Sequence, residues 1–185
     1  MSTNRRRVLQ VGGFLACAAA AASPSRFASA QQSAAAGVKR IALMNLHTAE
    51  RLDVEFFRDG AYVPEALAAI EELLRDFRTA ERHAIDPPLM DYLFDVASAI
   101  GVDPVYSVIS GYRSPRTNEM LRERGSGVAR RSLHMEGRAI DVRVAGIDCA
   151  NLAAHAEALS RGGVGYYRSS DFVHLDTGAF RTWRG

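Results

Sequence analysis

The chain has 185 residues, 48% of them hydrophobic and 24% charged, with a formal net charge of +2. That is enough apolar material for one domain with a real core, and too little positive charge to indicate a nucleic-acid partner. Its two cysteines, Cys17 and Cys149, exclude a disulfide framework and a thiolate zinc cluster, so a bound metal would need nitrogen and oxygen ligands.

The first thirty residues read as an address. Arg5-Arg6-Arg7-Val8-Leu9-Gln10 is a twin-arginine pattern, the apolar run 11–22 follows it, and Ala28-Ser29-Ala30 offers the small residues of a cleavage site. The run is short and alanine-rich for a membrane span. Leu15 stands one position too close to Cys17 for a lipobox. The expectation is a signal peptide over 1–30, a flexible leader over 31–39 and one domain over 40–185. Cleavage would leave a periplasmic protein with no stable membrane insertion. Residues 1–30 hold four arginines and no acids, so +2 less four leaves −2 on the exported chain.

Residues 41–46 and 52–57 read as a strand pair, and Asp59-Gly60 as a turn. Ala66, Leu67, Ile70, Leu73, Leu74 and Phe77 recur at helical spacing and predict a helix over 64–78 with Pro64 in its first turn. A second helix is expected over 87–100, capped by Asp86 and stopped by Gly101. A short strand at 105–109 precedes a third helix, capped at Ser114-Pro115 and ending near Arg124. Gly125-Ser126-Gly127 reads as a loop. Residues 139–144 form a strand, and Asp148 caps a fourth helix reaching Gly162-Gly163. Residues 164–167 and 172–176 close the chain as a strand pair. The pattern predicts an α+β fold, a small, mainly antiparallel sheet packed on helices.

Side chains alternate across a strand. In 139–144, Ile140, Val142 and Val144 share one face and Asp141 and Arg143 the other. In 172–176, Val173 and Leu175 share one face, opposite Phe172, His174 and Asp176. Both strands therefore present polar residues, Asp141 and His174, on a face expected to be open. Gly137 would let the chain turn tightly, so that His134 folds back towards Asp141. Two histidines and a carboxylate are a usual zinc set that leaves a fourth position for water. Asp171, three residues before His174, is the candidate general base, at a bend entering its strand. His47, His83 and His155 read as surface or satisfied histidines.

Taken together, Ser132-x-His134-x-x-Gly137-x-Ala139-x-Asp141, followed by Asp171-Phe172-Val173-His174-Leu175-Asp176, resembles the LAS group of zinc peptidases. That group includes the D-alanyl-D-alanine metallopeptidases and the hedgehog-like fold. "VISGYRSPRTNEMLR", "SLHMEGRAIDVRV" and "RGGVGYYRSSDFVHLDTG" bring the likeness closest to the exported murein endopeptidase K-type family, over residues 40–184. The resemblance implies one zinc ion per chain on His134, Asp141 and His174. It implies Asp171 in the place of the family's acidic base, often a glutamate, and Arg113 steadying the substrate carbonyl as charge develops. Asp176 would fix an imidazole tautomer behind the ligands. Ser132 would either bond near the site or cap a turn. The implied activity is cleavage of peptidoglycan stem peptides at a cross-link. Two alternatives stay open: a D,D-carboxypeptidase, which would need a carboxylate clamp from arginines such as Arg116, Arg143 or Arg168, and a zinc-stabilised wall-binding module without turnover. The sequence leaves the oligomeric state and the kind of cross-link open.

Overall fold

The computed structural model describes residues 37–125 and 128–185. The signal peptide, most of the leader and the Ser126-Gly127 part of the predicted loop lie outside them. The strands are β1 (Lys39–Asn45), β2 (Arg51–Arg58), β3 (Ala61–Tyr62), β4 (Val105–Ser110), β5 (Ala139–Val144), β6 (Gly163–Tyr167), β7 (Phe172–Asp176) and β8 (Arg181–Arg184). The helices are α1 (Pro64–Leu73), α2 (Pro87–Ile100), α3 (Pro115–Glu123) and α4 (Cys149–Leu159), with a 3₁₀ turn at Leu133–Glu136.

The strands make one sheet in the order β3-β2-β1-β4-β5-β7-β6-β8. Neighbours run antiparallel except β1 with β4 and β6 with β8. The α+β expectation therefore holds, with a mainly antiparallel sheet. The β1–β4 parallel pair is reached through a long connection carrying α1 and α2, as parallel strands require.

The alternation read in the sequence decides which face is the core. Ile140 pairs with Leu175 and Val142 with Val173 across β5 and β7, and all four are fully buried. They meet Leu89, Leu93 and Val96 of α2 and Leu152 and Ala156 of α4 in one cluster. Burying each such side chain contributes about 1.5–3 kcal/mol, which sets the register of both strands. Helix α2 fits its expected bounds, opening on Pro87 after Asp86 and ending at Gly101 in the left-handed conformation.

Two helices end earlier than expected. Helix α1 stops at Leu73 because Asp76 gives its carboxylate to other backbone donors, Arg78 N at 2.9 Å and Ser114 N at 2.9 Å. Such side-chain bonds compete with helical ones. Phe77 then leaves the core and stacks on His47, with ring centroids 3.7 Å apart. Helix α4 stops at Leu159, where Ser160 adopts a left-handed conformation.

Candidate metal centre

Asp141 and His174 sit directly opposite each other on β5 and β7. Their face is not open, as the sequence reading expected: Asp141 is 6% exposed, and His134, brought by the 3₁₀ turn, is 3% exposed. The covering groups come from distant parts of the chain, namely that turn, Arg113 after β4 and Trp183 of β8.

The turn is placed by backbone geometry. Ser132 caps it, its hydroxyl accepting from His134 N at 3.4 Å. Gly137 ends it with φ of +65°, and a Cβ there would lie 2.0 Å from the Ala84 carbonyl oxygen. Only glycine meets both conditions. The turn then docks on the segment leaving β4. Arg113 N donates to the His134 carbonyl at 3.1 Å, and His134 Nδ1 bonds the Gly111 carbonyl at 2.7 Å. One short segment thus positions both His134 and Arg113.

His134, Asp141 and His174 each offer a ligand atom within 4.8 Å of the other two. His134 Nε2 lies 3.2 Å from His174 Nδ1 and 3.3 Å from Asp141 Oδ1, and His174 Nδ1 lies 2.8 Å from that same oxygen. The outward nitrogens are committed. A carbonyl only accepts, so His134 Nδ1 must be the protonated nitrogen, leaving Nε2 bare. His174 Nε2 faces Asp176 Oδ2 at 3.0 Å, and as its donor leaves Nδ1 bare in the neutral ring. Two nitrogen lone pairs and a carboxylate oxygen then converge on one point, which calls for a cation. Histidine ligands held from behind by a carbonyl and a carboxylate are the usual surroundings of such an ion. The residues fit a divalent metal with nitrogen and oxygen preference, zinc among them.

The electrostatics agree. Burial works to raise the Asp141 pKa, but His134 and His174 outweigh it and hold the carboxyl well below its usual range. Burial also opposes charge on His174, yet its bonds to Asp141 and Asp176 push its pKa up to about 9. Without a metal, a proton on this ring is the cation between the carboxylates. Burial lowers the His134 pKa against the pull of Asp141.

The remaining predicted residues divide. Arg113 is nearly buried, with one guanidinium nitrogen 3.3 Å from Ser110 Oγ and 3.6 Å from Asp141 Oδ2. Its Nε has no partner among the described residues. Asp176 is wholly buried behind His174. Asp171 is not brought to the group. It adopts φ of +52° in the turn before β7 and lies 3.6 Å from Arg143, with its side chain 69% exposed. His134, Asp141 and His174 line a cavity of about 290 Å³, together with Arg113, Arg131, Tyr167, Phe172 and Trp183. Trp183 and Arg181 were missed by the sequence reading, because β8 is four residues long without an alternating apolar pattern.

A family model described as peptidoglycan L,D-endopeptidase MepK matches residues 33–183. The Escherichia coli (strain K12) peptidoglycan L,D-endopeptidase MepK is 40% identical over 180 residues, covering 97% of both chains. A Haemophilus influenzae protein named probable peptidoglycan L,D-endopeptidase MepK is 42% identical over 142 residues, 76% of each chain. The crystal structure of Serratia marcescens L-Ala D-Glu endopeptidase ChiX overlaps 42% of this chain and 62% of its own, at 24% identity and a TM-score of 0.34, too partial a match to bear on the fold.

Proposed function

The chain belongs to the family of the peptidoglycan L,D-endopeptidase MepK, and from that membership we propose that it is a zinc-dependent murein endopeptidase of the periplasm, cutting peptide cross-links of the cell wall. The observation that carries the metal part is the convergence of His134 Nε2, Asp141 Oδ1 and His174 Nδ1, with both outward nitrogens already occupied. Zinc, when bound, would polarise the scissile carbonyl and lower the pKa of a water.

The chain's own residues supply the rest. Arg113 lines the cavity beside Asp141, and burial has removed the water that would otherwise solvate its guanidinium. A fixed cation there stabilises negative charge developing on the carbonyl oxygen more than it stabilises the neutral substrate. The base must be a carboxylate free to reach the site. Asp176 is excluded, because it is wholly buried and bonded on both oxygens. Asp171 is exposed, and its carboxylate lies 3.6 Å from Arg143 in a surface ion pair. We assign the base role to Asp171, reached by a swing of its side chain when substrate binds, since catalytic contacts often tighten only in the loaded complex.

The test uses the chain from Gln31 onwards on cross-linked peptidoglycan, with chelator and with zinc restored, and separates the fragments by chromatography. Loss of dimeric muropeptides that chelation stops and zinc restores is the expected result. Intact dimers with monomers shortened by one residue would replace this reading with a carboxypeptidase. No change, with zinc bound one per chain, would replace it with a binding module.

A further inference from the structure

Behind the second histidine stands a carboxylate with an unusual number of donors. Asp176 Oδ1 accepts from Gly163 N at 3.1 Å, Gly178 N at 2.8 Å and Arg181 at 3.1 Å. Its Oδ2 accepts from Arg181 at 2.7 Å and faces His174 Nε2 at 3.0 Å. The two contacts from Arg181 are the parallel, bidentate kind that fixes a carboxylate's plane as well as its charge. The site is built to fit. A Cβ at Gly163 would lie 2.4 Å from Asp176 Oδ2 and 2.6 Å from Arg181, and one at Gly178 would lie 2.9 Å from Asp176 Oδ1.

Arg181 is itself held. It donates to the Ala179 carbonyl at 3.0 Å, and its guanidinium lies 5.1 Å from the Trp183 ring centroid. Trp183 lies flat enough on Gly165 that a Cβ there would meet the indole at 2.4 Å, and its ring is 5.2 Å from that of His174. Both residues come from β8, where the two-residue spacing puts them on one face. His174 is thus gripped from β8 twice, through Asp176 and against Trp183.

We propose that Arg181 is a positioning residue for the metal centre. By fixing the plane of the Asp176 carboxylate, it keeps His174 Nε2 occupied and offers Nδ1 to the ion. Its guanidinium acts through two intervening groups. The inference rests on the metal reading given above.

The experiment compares the wild-type chain from Gln31 with Arg181→Gln and Arg181→Lys. Zinc affinity is measured by competition with a chromophoric chelator, and ligand geometry by the visible absorption of the cobalt-loaded proteins. Arg181→Gln is expected to weaken zinc binding about 10- to 100-fold, in the range of lost partners behind a ligand, and to shift the cobalt bands. Its kcat should fall with KM unchanged. Arg181→Lys keeps the charge but only one of the two bonds, and should be intermediate in every readout. Equal zinc affinity and an unshifted cobalt spectrum in Arg181→Gln overturn the inference alone, whatever happens to its thermal stability. Should Arg181→Gln not fold, wild-type affinity and bands in Arg181→Lys overturn it likewise. A wild type that takes up no zinc overturns the metal reading and this inference with it.

Discussion

Asp141 lies on β5 and Asp171 in the turn just before β7, and their surroundings separate their roles. Asp141 is enclosed by two imidazoles and Arg113 and stays ionised. Asp171 is exposed, and its pair with Arg143 is a surface contact contributing about 0–1 kcal/mol. Removing it should therefore cost little stability. Asp171→Ala is expected to lower kcat by about 100-fold or more, the usual share of a general base, while zinc content and thermal midpoint stay at wild-type values. Full turnover in that variant would refute the assignment. At this scale the meeting of Asp141 and His174 was readable, because parity along β5 and β7 puts them on one face whatever the fold does elsewhere. The burial of that face was not readable. It depends on His134, Arg113 and Trp183 arriving from other elements, and on Gly137 passing the Ala84 carbonyl too closely for any side chain.

Elements were readable in proportion to how many independent signals agreed. Helix α2 has an apolar stripe, a proline start and a glycine stop, and its predicted and observed limits coincide, although the Asp86 carboxylate expected to cap it accepts from Thr177 and makes no cap bond to the helix. Helix α1 has the same stripe, but Asp76 takes backbone partners of its own and cuts the helix short. Strand β8 is short, polar and exposed except at Trp183, so periodicity has nothing to register. Helix α2 supports the core face, and the described residues that line the cavity come from other elements. Leu93, fully buried between the sheet and α4, should therefore affect stability and leave the site alone. Leu93→Ala is expected to cost about 2–5 kcal/mol, from lost transfer energy and the cavity left behind. Urea denaturation measures that loss. Unaltered zinc affinity in the folded variant is the second half of the expectation, and a weakened site would show that α2 helps to hold the ligands.

For the molecule as a whole, the His134–Asp141–His174 cluster links stability to pH with a slope that a metal should remove. In the metal-free protein the His174 pKa is raised to about 9, against 6.5 in an unfolded chain. A raised pKa gives stability that is complete below pH 6.5 and is lost as pH climbs through 9. The gap corresponds to on the order of 3 kcal/mol. His134 acts oppositely, since its lowered pKa means that acid below pH 6.5 favours the unfolded chain. Asp141 and Asp176, both lowered, lose their contribution only as pH falls below the ordinary carboxylate range. Between pH 6.5 and 9 His174 is therefore the group that decides the slope within this cluster, and the metal-free midpoint should drop by about 6–12 °C across that window. A metal ion replaces the proton on His174, so once the pH is about a unit or more above 6.5 the loaded and unfolded states hold nearly equal numbers of protons at this site, and the falling slope vanishes. Scanning calorimetry at pH 6.5, 7.5, 8.5 and 9, with chelator and with saturating zinc, compares the two directly. The expected result is a falling midpoint with chelator and a level one with zinc. Parallel curves would mean that the ion does not displace the His174 proton, and that the convergence of lone pairs on which the metal centre rests is resolved in some other way.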